Sequence, residues 1–318
     1  MIAWVVLAAA GVAGVLAAVY IGRTFIRFVY PPSMTVVVPP EDQGLSPERF
    51  EVQARDGVRI RGWLFTPGTR ALGTVIVCHP FGMNKGRVLS QVKLLVEGGL
   101  VVVTFDFRGC GESARPHRKA FNTIWEPLMD LEAVSAYVDE RFRDQPEFRE
   151  RVGLLGYSFG GNMAIAHAGY CDRPYSAVVL DSTPLIEWKA MIGTVLERER
   201  RSRRLLFVRR GLDAVATRLI EWWTRSDELY QRAKDSAGRL VKTPVLLVVG
   251  EQDLYFDVNL SCDFVLTYCA GPRDIWRVRK GRHLTNHVLD PGAYAARVLG
   301  FLKSSFERVE ERERERTP

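Results

Sequence analysis

Ser158 lies between two glycines in the sequence Gly156-Tyr157-Ser158-Phe159-Gly160, directly after the apolar run Val152–Leu155. A buried strand that ends there and passes at once into a helix would make a sharp turn, whose strained backbone lifts the serine hydroxyl out of the sheet edge. The helix N-terminus beneath the serine favours negative charge that develops on a reacting group. This spacing predicts that Ser158 is a nucleophile.

A second motif follows an earlier apolar run, where residues 106–113 read Asp-Phe-Arg-Gly-Cys-Gly-Glu-Ser. Together the two motifs resemble the alpha/beta-hydrolase family, and the resemblance extends over residues 50–306. In that family the second loop shapes a turn near the active site. The resemblance therefore implies a scaffold role for Asp106–Ser113 and a catalytic role for Ser158.

A serine hydroxyl needs a base beside it, and the base needs a carboxylate that orients it. In the family these residues occur along the chain in the order serine, acid, histidine. Asp253 lies in a turn directly after the apolar run Val245–Val249, as the family's acid usually does. The resemblance therefore implies that Asp253 is the acid, with Glu251 and Asp257 as the alternatives.

The base is one of five histidines, and the resemblance implies that it is His283. This residue follows the apolar run Ile275–Val278 by a short loop and precedes the last predicted helix, an arrangement similar to the family's catalytic histidine loop. His287, four residues later, is the alternative base. We expect packing or structural roles for His79 and His167.

Acyl transfer also needs backbone N–H donors for the oxyanion that develops in the transition state. The resemblance implies that Phe159, which follows the nucleophile, and Phe81 supply these donors. Phe81 lies within His-Pro-Phe-Gly-Met-Asn-Lys at positions 79–85, which is similar to the family's H-G-x-x-x-N-K loop. Pro80 replaces the usual glycine and has no N–H, but the donor belongs to the next residue. We expect His79 to stabilise this loop.

The resemblance implies a serine hydrolase, esterase- or lipase-like, that cleaves carboxylic esters or thioesters through an acyl-enzyme and needs no metal or organic cofactor. Serine at position 158 favours acyl transfer, because family members that cleave carbon–halogen bonds or epoxides carry aspartate there. Two alternatives stay open, a peptidase or amidase of the same fold and a non-catalytic binding protein. The fold alone does not choose among them.

These residues are placed by short apolar runs that alternate with helical stretches. The pattern predicts an α/β fold with a mostly parallel sheet covered by helices on both faces. About eight strands are expected, and the first two flank Asp56-Gly57 as an antiparallel edge. The predicted strands are 50–54, 58–65, 74–78, 100–105, 152–155, 177–180, 245–249 and 275–278.

The interval between Asp181 and Val245 is far longer than a crossover between parallel strands needs. Its helical composition predicts a cap insertion at about residues 182–244, over the carboxyl edge of the sheet. The hydrolase domain is therefore expected over residues 50–306. Residues 307–318 are predicted to form a charged, frayed tail.

Ile2–Gly22 contains no charged residue, and a helix of that length spans roughly 30 Å, the thickness of a bilayer's hydrocarbon core. We predict an uncleaved transmembrane anchor over residues 1–28, because no basic residue precedes the run and no convincing cleavage site follows it. A cleaved signal peptide is the alternative. Arg23 and Arg27 directly after the run predict that the remaining chain is cytoplasmic.

Aromatic residues at the end of this run, Tyr20, Phe25, Phe28 and Tyr30, are predicted to form a belt at the membrane surface. Prolines at positions 31, 32, 39 and 40 then predict an extended linker over residues 29–49. We expect this linker to set the folded domain away from the lipid.

Seven arginines lie between positions 198 and 210, interrupted by the apolar residues 205–208. One interpretation is a solvated helix face with i,i+4 pairs such as Glu197–Arg201 and Glu199–Arg203. The other is a basic patch that contacts anionic membrane lipid while the apolar residues enter the interface. Nucleic-acid binding is not expected, because no recognition module accompanies the arginines.

The composition is that of a globular chain, with 318 residues, 47% hydrophobic and 25% charged, and a net charge of +7. It excludes a fibrous or wholly disordered chain. The five cysteines have no paired CxxC spacing, so a disulfide scaffold or zinc ribbon is not expected and a reducing compartment fits the count. The expected partners are an ester-type small molecule or lipid as substrate, and membrane lipid around the anchor.

Overall fold

A single eight-stranded sheet positions the residues named above. The computed structural model describes residues 1–29, 39–114, 125–171, 174–201 and 208–316. The strands are β1 Glu48–Gln53, β2 Arg59–Phe65, β3 Thr74–Cys78, β4 Val101–Phe105, β5 Val152–Tyr157, β6 Ala177–Asp181, β7 Val245–Gly250 and β8 Arg273–Val278. The helices are α1 Ile2–Val29, α2 Leu89–Glu97, α3 Trp125–Arg141, α4 Pro146–Glu150, α5 Phe159–Ala168, α6 Trp188–Arg201, α7 Val208–Thr224, α8 Ser226–Arg239, α9 Val258–Tyr268, α10 Asn286–Leu289 and α11 Pro291–Arg316.

The strands lie in the order β1-β2-β4-β3-β5-β6-β7-β8. Strand β2 pairs antiparallel with β1 and β4, and all the other neighbours pair parallel. The predicted fold, eight mostly parallel strands with an antiparallel edge, is therefore confirmed. Because parallel strands end at the same edge of the sheet, the loops after β5, β6, β7 and β8 meet there.

Helices cover both faces of the sheet, as the continuous apolar runs predict. Residues of α2 and α11 pack with Val75 and Val77 of β3 on one face. Residues of α3, α5, α8 and α9 pack with Ile76 and Cys78 on the other face. Every residue of β3, β4, β5, β6 and β7 is buried. The central strands thus form a rigid platform beneath the loops that carry the predicted site.

The last helix differs from the sequence prediction. A frayed tail was expected from residue 307, but α11 continues to Arg316. Glu310 accounts for the difference, because it pairs with Arg314 one turn later at 2.6 Å and with Arg151 before β5 at 3.2 Å. The charged segment is therefore helical and attached to the domain.

The segment between β6 and β7 is divided between a cap and the helical layer. The insertion at about residues 182–244 stays a prediction, and within it α8 packs against α5. The Ser236 hydroxyl donates to the Ile165 carbonyl at 2.5 Å and accepts from the Gly169 N–H at 2.7 Å. We use cap for α6 and α7, and residues 202–207 between them, which include Arg203 and Arg204 of the predicted basic patch, lie outside the described residues.

Among the described residues, α1 is long and apolar enough to cross a membrane. The predicted linker required the end of α1 to stand apart from the domain, but this end contacts α7. The Tyr20 hydroxyl donates to Asp213 of α7 at 2.5 Å, and Phe28 and Val29 are buried. Residues 30–38, which include Tyr30 and most of the predicted linker, lie outside the described residues.

Candidate active site

Ser158 stands at the turn between β5 and α5. Its backbone has φ 51° and ψ −117°, a conformation that costs free energy in a non-glycine residue. Helix α5 can start this close to the sheet only because Gly160 lacks a side chain. A Cβ there would lie 2.3 Å from the carbonyl oxygen of Cys78. The local sequence therefore folds into the predicted turn, with the serine at its apex.

The structure brings three of the predicted residues together at the carboxyl edge of the sheet. The loop after β8 places His283 Nε2 3.0 Å from Ser158 Oγ. The turn after β7 places Asp253 Oδ2 2.7 Å from His283 Nδ1. With Nδ1 donating its proton to the carboxylate, Nε2 is left as an acceptor for the serine hydroxyl. The imidazole thus has the tautomer that a general base requires.

The Asp253 carboxylate is fixed as well as paired. Its second oxygen accepts the Tyr255 N–H at 2.9 Å, and its side chain is fully buried. The Tyr255 ring in turn lies 4.7 Å from the His283 ring, measured between centroids. The guanidinium of Arg198 lies over the Tyr255 ring, 5.3 Å from its centroid. Helix α6 of the cap therefore contacts the residues that surround the imidazole.

The alternative acids and base lie elsewhere. Asp257 accepts the Asn259 N–H at 2.9 Å and caps helix α9, and Glu251 is exposed. His287 lies beside Gln91 of α2, with 3.3 Å between its Nδ1 and the amide nitrogen. Burial lowers the pKa of His287. These positions favour Asp253 and His283 over the alternatives.

His79 and His167 have structural contacts. His79 Nδ1 donates to the Pro80 carbonyl at 2.7 Å, and its Nε2 accepts the Phe107 N–H at 3.0 Å. Burial lowers the pKa of His79, so the neutral ring is favoured. His167 Nε2 lies 3.0 Å from the Tyr175 hydroxyl. His79 thus ties the loop after β3 to the loop after β4.

The two predicted oxyanion donors lie on adjacent segments. The Phe81 and Phe159 rings pack edge to face with 5.5 Å between centroids. Trp188, the first residue of α6, packs against both rings at 5.9 and 6.2 Å. The three aromatic rings form an apolar wall on the segments that carry the two predicted oxyanion donors.

Ion pairs hold the loops beneath this wall. Lys85 is fully buried and donates to the Asp106 carboxylate and to Glu112 Oε2, the latter at 2.6 Å. Arg108 Nη1 contacts Asp56 Oδ2 at 2.5 Å and its Nη2 contacts Asp130 Oδ1 at 2.6 Å. The first pair joins the Phe81 loop to residues 106–113, and the second joins that loop to α3. The motif's polar residues therefore act as scaffold.

Sequence reasoning missed a buried network beside His283. Asp181, at the end of β6, accepts hydrogen bonds from Ser182 Oγ at 2.9 Å, Asn286 Nδ2 at 2.7 Å and Tyr294 Oη at 2.7 Å. The Ser182 hydroxyl also accepts the N–H of Leu284, the residue after His283, at 3.0 Å. Burial raises the pKa of Asp181. The one available signal was an acidic residue at the end of an otherwise apolar strand.

This network fixes the backbone that carries the imidazole. Ser182 and Leu284 both have positive φ, 52° and 61°, which non-glycine residues adopt only when their surroundings hold them there. The Ser158 N–H also donates to the Asp181 carbonyl at 2.9 Å. One buried residue therefore contacts the serine turn directly and the histidine loop through Ser182 and Asn286.

The arrangement can carry out nucleophilic acyl transfer, because it joins a serine hydroxyl, an oriented imidazole and a buried carboxylate. In the described part of the chain, His, Cys, Asp and Glu side chains are not grouped in threes as metal ligands. The described cysteines are free thiols at positions 78, 110, 171, 262 and 269.

Comparison with known proteins identifies the family of this chain. Residues 69–229 match the family model described as serine aminopeptidase, S33, and that match covers half of the chain. The uncharacterized protein YfhR of Escherichia coli O157:H7 is 32% identical over 166 residues, covering 51% of this chain and 55% of YfhR. A monoacylglycerol lipase of Mycolicibacterium smegmatis is 31% identical over 142 residues, covering 44% of this chain and 48% of the lipase.

The chain thus spans about half the length of the curated relatives that it matches. Among solved structures, the esterase Pf2001 of Pyrococcus furiosus superposes with a TM-score of 0.69 at 20% identity, covering 87% of this chain and 97% of the esterase. At that identity the likeness shows the fold, which is the alpha/beta-hydrolase fold.

Proposed function

Because this chain belongs to the serine aminopeptidase S33 family of alpha/beta hydrolases, we propose that it is a serine hydrolase that cleaves carboxylic esters or thioesters at a membrane surface. Ser158 is the nucleophile, His283 the base and Asp253 the acid that orients it. The observation that carries the proposal is the continuous chain of hydrogen bonds from Ser158 Oγ through the imidazole to the Asp253 carboxylate, 3.0 and 2.7 Å long.

In the first half of the proposed reaction, Ser158 Oγ attacks the carbonyl carbon and its proton passes to His283 Nε2. The carbonyl oxygen becomes an oxyanion, which accepts hydrogen bonds from the Phe81 and Phe159 N–H groups. When the tetrahedral intermediate collapses, the bond to the leaving group breaks and the imidazolium donates its proton to that group. An alcohol or thiol departs, and the acyl group remains on Ser158.

In the second half, water replaces the leaving group as the reactant. His283 Nε2 takes a proton from the water while its oxygen attacks the acyl carbon, and a second tetrahedral intermediate forms in the same oxyanion site. Its collapse breaks the bond to Ser158 Oγ, which recovers a proton from the imidazolium. The products are a carboxylic acid and the free enzyme.

An ester with an apolar acyl group is favoured by the walls of the site and by the relatives. Phe81, Phe159 and Trp188 place aromatic rings beside the nucleophile, and apolar rings bind acyl chains better than charged groups. The relatives include a monoacylglycerol lipase and the fold neighbours include an esterase.

The membrane location rests on α1, which is apolar and long enough to span a bilayer. Arg23 and Arg27 at its end favour a cytoplasmic domain. Membrane lipid then surrounds α1 and is also a source of ester substrates. Carbonate extraction of cell membranes tests this part, since an integral protein stays in the pellet and a cleaved, soluble product is released.

The description of the family, serine aminopeptidase, favours a peptidase as the second candidate. A peptidase of this kind needs carboxylates that bind the free amino terminus of its substrate. The charged group that lies over Tyr255, the ring beside His283, is instead the cation Arg198. Turnover of aminoacyl nitroanilides but not of nitrophenyl esters would make the peptidase the better assignment.

Labelling with a fluorophosphonate probe tests the nucleophile. We expect the wild-type chain to be labelled and Ser158→Ala to be unlabelled, while Ser90→Ala, which alters an exposed serine of α2, is labelled as the wild type. A chain that is never labelled would favour the non-catalytic binding protein. Nitrophenyl esters of increasing acyl length then separate a short-chain esterase from a lipase.

Replacement of the histidines tests the base. His283→Ala is expected to lower kcat by roughly six orders of magnitude, whereas His287→Ala retains most of the activity. Loss of turnover in His287→Ala alone would contradict the assignment of His283.

A further inference from the structure

The last third of the anchor helix α1 packs against the cap helix α7. Near one end of the contact, the Tyr20 hydroxyl donates to Asp213 Oδ1 at 2.5 Å. Further along both helices, the rings of Phe25 and Trp223 meet edge to face, with 5.8 Å between centroids. Asp213 is 9% exposed and Thr24 is 7% exposed, so the contact is a packed interface between anchor and cap.

This interface fixes the depth of α7 relative to the bilayer. Tyr20 lies near the end of the uncharged run Ile2–Gly22, so it marks the level at which α1 leaves the hydrocarbon. Phe25, five residues later, stands about 7.5 Å farther from the bilayer centre if α1 is upright. Because Asp213 and Trp223 contact these two residues, an α1 that spans the bilayer would place α7 at the level of the headgroup layer.

The outer face of α7 has the composition of a helix at a lipid interface. Val215, Leu219 and Trp222 follow one another at helical spacing and are 47%, 41% and 74% exposed. Arg218 is exposed beside them. Large apolar side chains with tryptophan and arginine on one helix face are typical of helices that lie in the interface plane of a membrane.

We propose that Val215, Leu219 and Trp222 form a lipid-contacting face by which cap helix α7 rests in the headgroup layer of the same bilayer that holds α1. Continuity with the anchor identifies the occupant as lipid, because α7 is packed directly on the end of the membrane-spanning helix. Arg218 supplies a charge complementary to anionic lipid phosphates, each such contact contributing about 1 kcal/mol.

This face deepens the proposed function and rests on it. The cap helix α6, which precedes α7, carries Trp188 against Phe81 and Phe159, and Arg198 over Tyr255. A bilayer that holds α7 therefore also sets the position of the helix that borders the serine. An acyl ester can then pass from the bilayer to Ser158 along the cap without crossing bulk water.

Quenching of tryptophan fluorescence by brominated phospholipid tests the depth of α7. The full chain is reconstituted in vesicles of phosphatidylcholine and phosphatidylglycerol. The emission of Trp222 is the difference between wild type and Trp222→Phe, and the emission of Trp4 is the difference between wild type and Trp4→Phe. We expect bromine near the headgroup end of the acyl chain to quench Trp222. Trp4 of the anchor is expected to be quenched as well.

The two tryptophans separate failure of this inference from failure of the membrane proposal. Quenching of Trp4 without quenching of Trp222 would overturn the lipid-contacting face and leave the anchor intact. If neither is quenched, the chain does not insert and both proposals fail. Protection of Trp222 from acrylamide that increases with protein concentration, without quenching by lipid, would show that a second copy covers the face.

Hydrolysis measurements provide a second test of the lipid-contacting face. The double variant Leu219→Glu with Trp222→Glu is expected to hydrolyse an ester embedded in vesicles at least about tenfold more slowly than wild type, while its turnover of a water-soluble nitrophenyl ester changes less than about twofold. Val241→Glu, at an exposed apolar position before β7, is the control. Equal losses on both substrates, or no loss on either, would contradict the proposal.

Discussion

Ser158 Oγ, the His283 imidazole and the Asp253 carboxylate form one continuous series of hydrogen bonds, and each member is held by a different strand end. Their convergence could be predicted from the sequence, because each follows an apolar run that ends at the same sheet edge and because the resemblance to the alpha/beta-hydrolase family implies the chain order serine, acid, histidine. Asp181 and Asn286 could not be predicted in the same way. They are 105 positions apart, and the apolar pattern does not indicate which polar residues at strand ends will meet.

Asn286→Ala is expected to lower kcat roughly ten- to hundredfold with little change in KM. The reason is that a lost hydrogen bond to a buried carboxylate costs about 1.5–3 kcal/mol and loosens the loop that carries His283. Steady-state kinetics on a nitrophenyl ester measure the effect. Asn259→Ala, at an exposed position of α9, is the control. A change confined to KM would argue against a positioning role.

A second residue-scale prediction concerns stability and pH. The pKa of His79 is lowered from 6.5 by burial, so below pH 6.5 the unfolded chain binds a proton that the folded chain excludes. The free energy of unfolding should therefore fall as the pH decreases below 6.5, by up to about 1.4 kcal/mol per pH unit from this group. Above pH 6.5 the contribution is constant.

Denaturant unfolding of wild type and His79→Gln between pH 5 and pH 8 measures this effect. The slope of the unfolding free energy against pH should correspond to uptake of about one proton fewer in the variant. Equal slopes would show that position 79 binds its proton equally in both states.

At the scale of elements, the turn between β5 and α5 is the feature that the local sequence specifies most completely. Gly160 is required there by close approach to Cys78, and the motif identified the turn correctly. The end of α11 was mispredicted because charge alone was taken as a sign of fraying. The Glu310–Arg314 pair, an i,i+4 pattern visible in the sequence, was the signal that favours a helix.

Gly160→Ala is expected to destabilise the fold by about 1–3 kcal/mol, because its Cβ would overlap the Cys78 carbonyl and force α5 away from the sheet. Gly193→Ala on α6 is the matched control, since a Cβ there meets nothing within 4 Å. That variant should be neutral or more stable by up to about 1 kcal/mol. Thermal unfolding in detergent compares the two. Equal stability of both variants would contradict the close approach.

At the scale of the whole molecule, three bodies are joined in series, the anchor α1, the cap helices α6 and α7, and the sheet with its covering helices. The sequence predicted an anchor and a hydrolase domain with a cap inserted in it, separated by a linker over residues 29–49. The contact between Tyr20 and Asp213 spans 193 positions. It depends on side-chain complementarity between helices, which hydropathy does not reveal.

Tyr20→Phe tests how tightly anchor and cap are joined. It removes the donor to Asp213, and leaving a buried carboxylate oxygen without that donor costs about 1–3 kcal/mol. Amide hydrogen exchange along α7 should therefore become about ten times faster in vesicles, while exchange in α5 is unchanged. Tyr268→Phe on α9 serves as a comparison. Unaltered exchange in α7 would mean that the hydrogen bond does not hold the two helices together.

Because α1 is packed on α7, the proposed membrane location would couple any tilt of the anchor to the cap beside the proposed active site. A bilayer thicker or thinner than the uncharged run imposes hydrophobic mismatch, which a spanning helix relieves by tilting. On the proposed function, the thickness of the surrounding lipid would then affect substrate entry, and hydrolysis would proceed at different rates in membranes of different acyl-chain length.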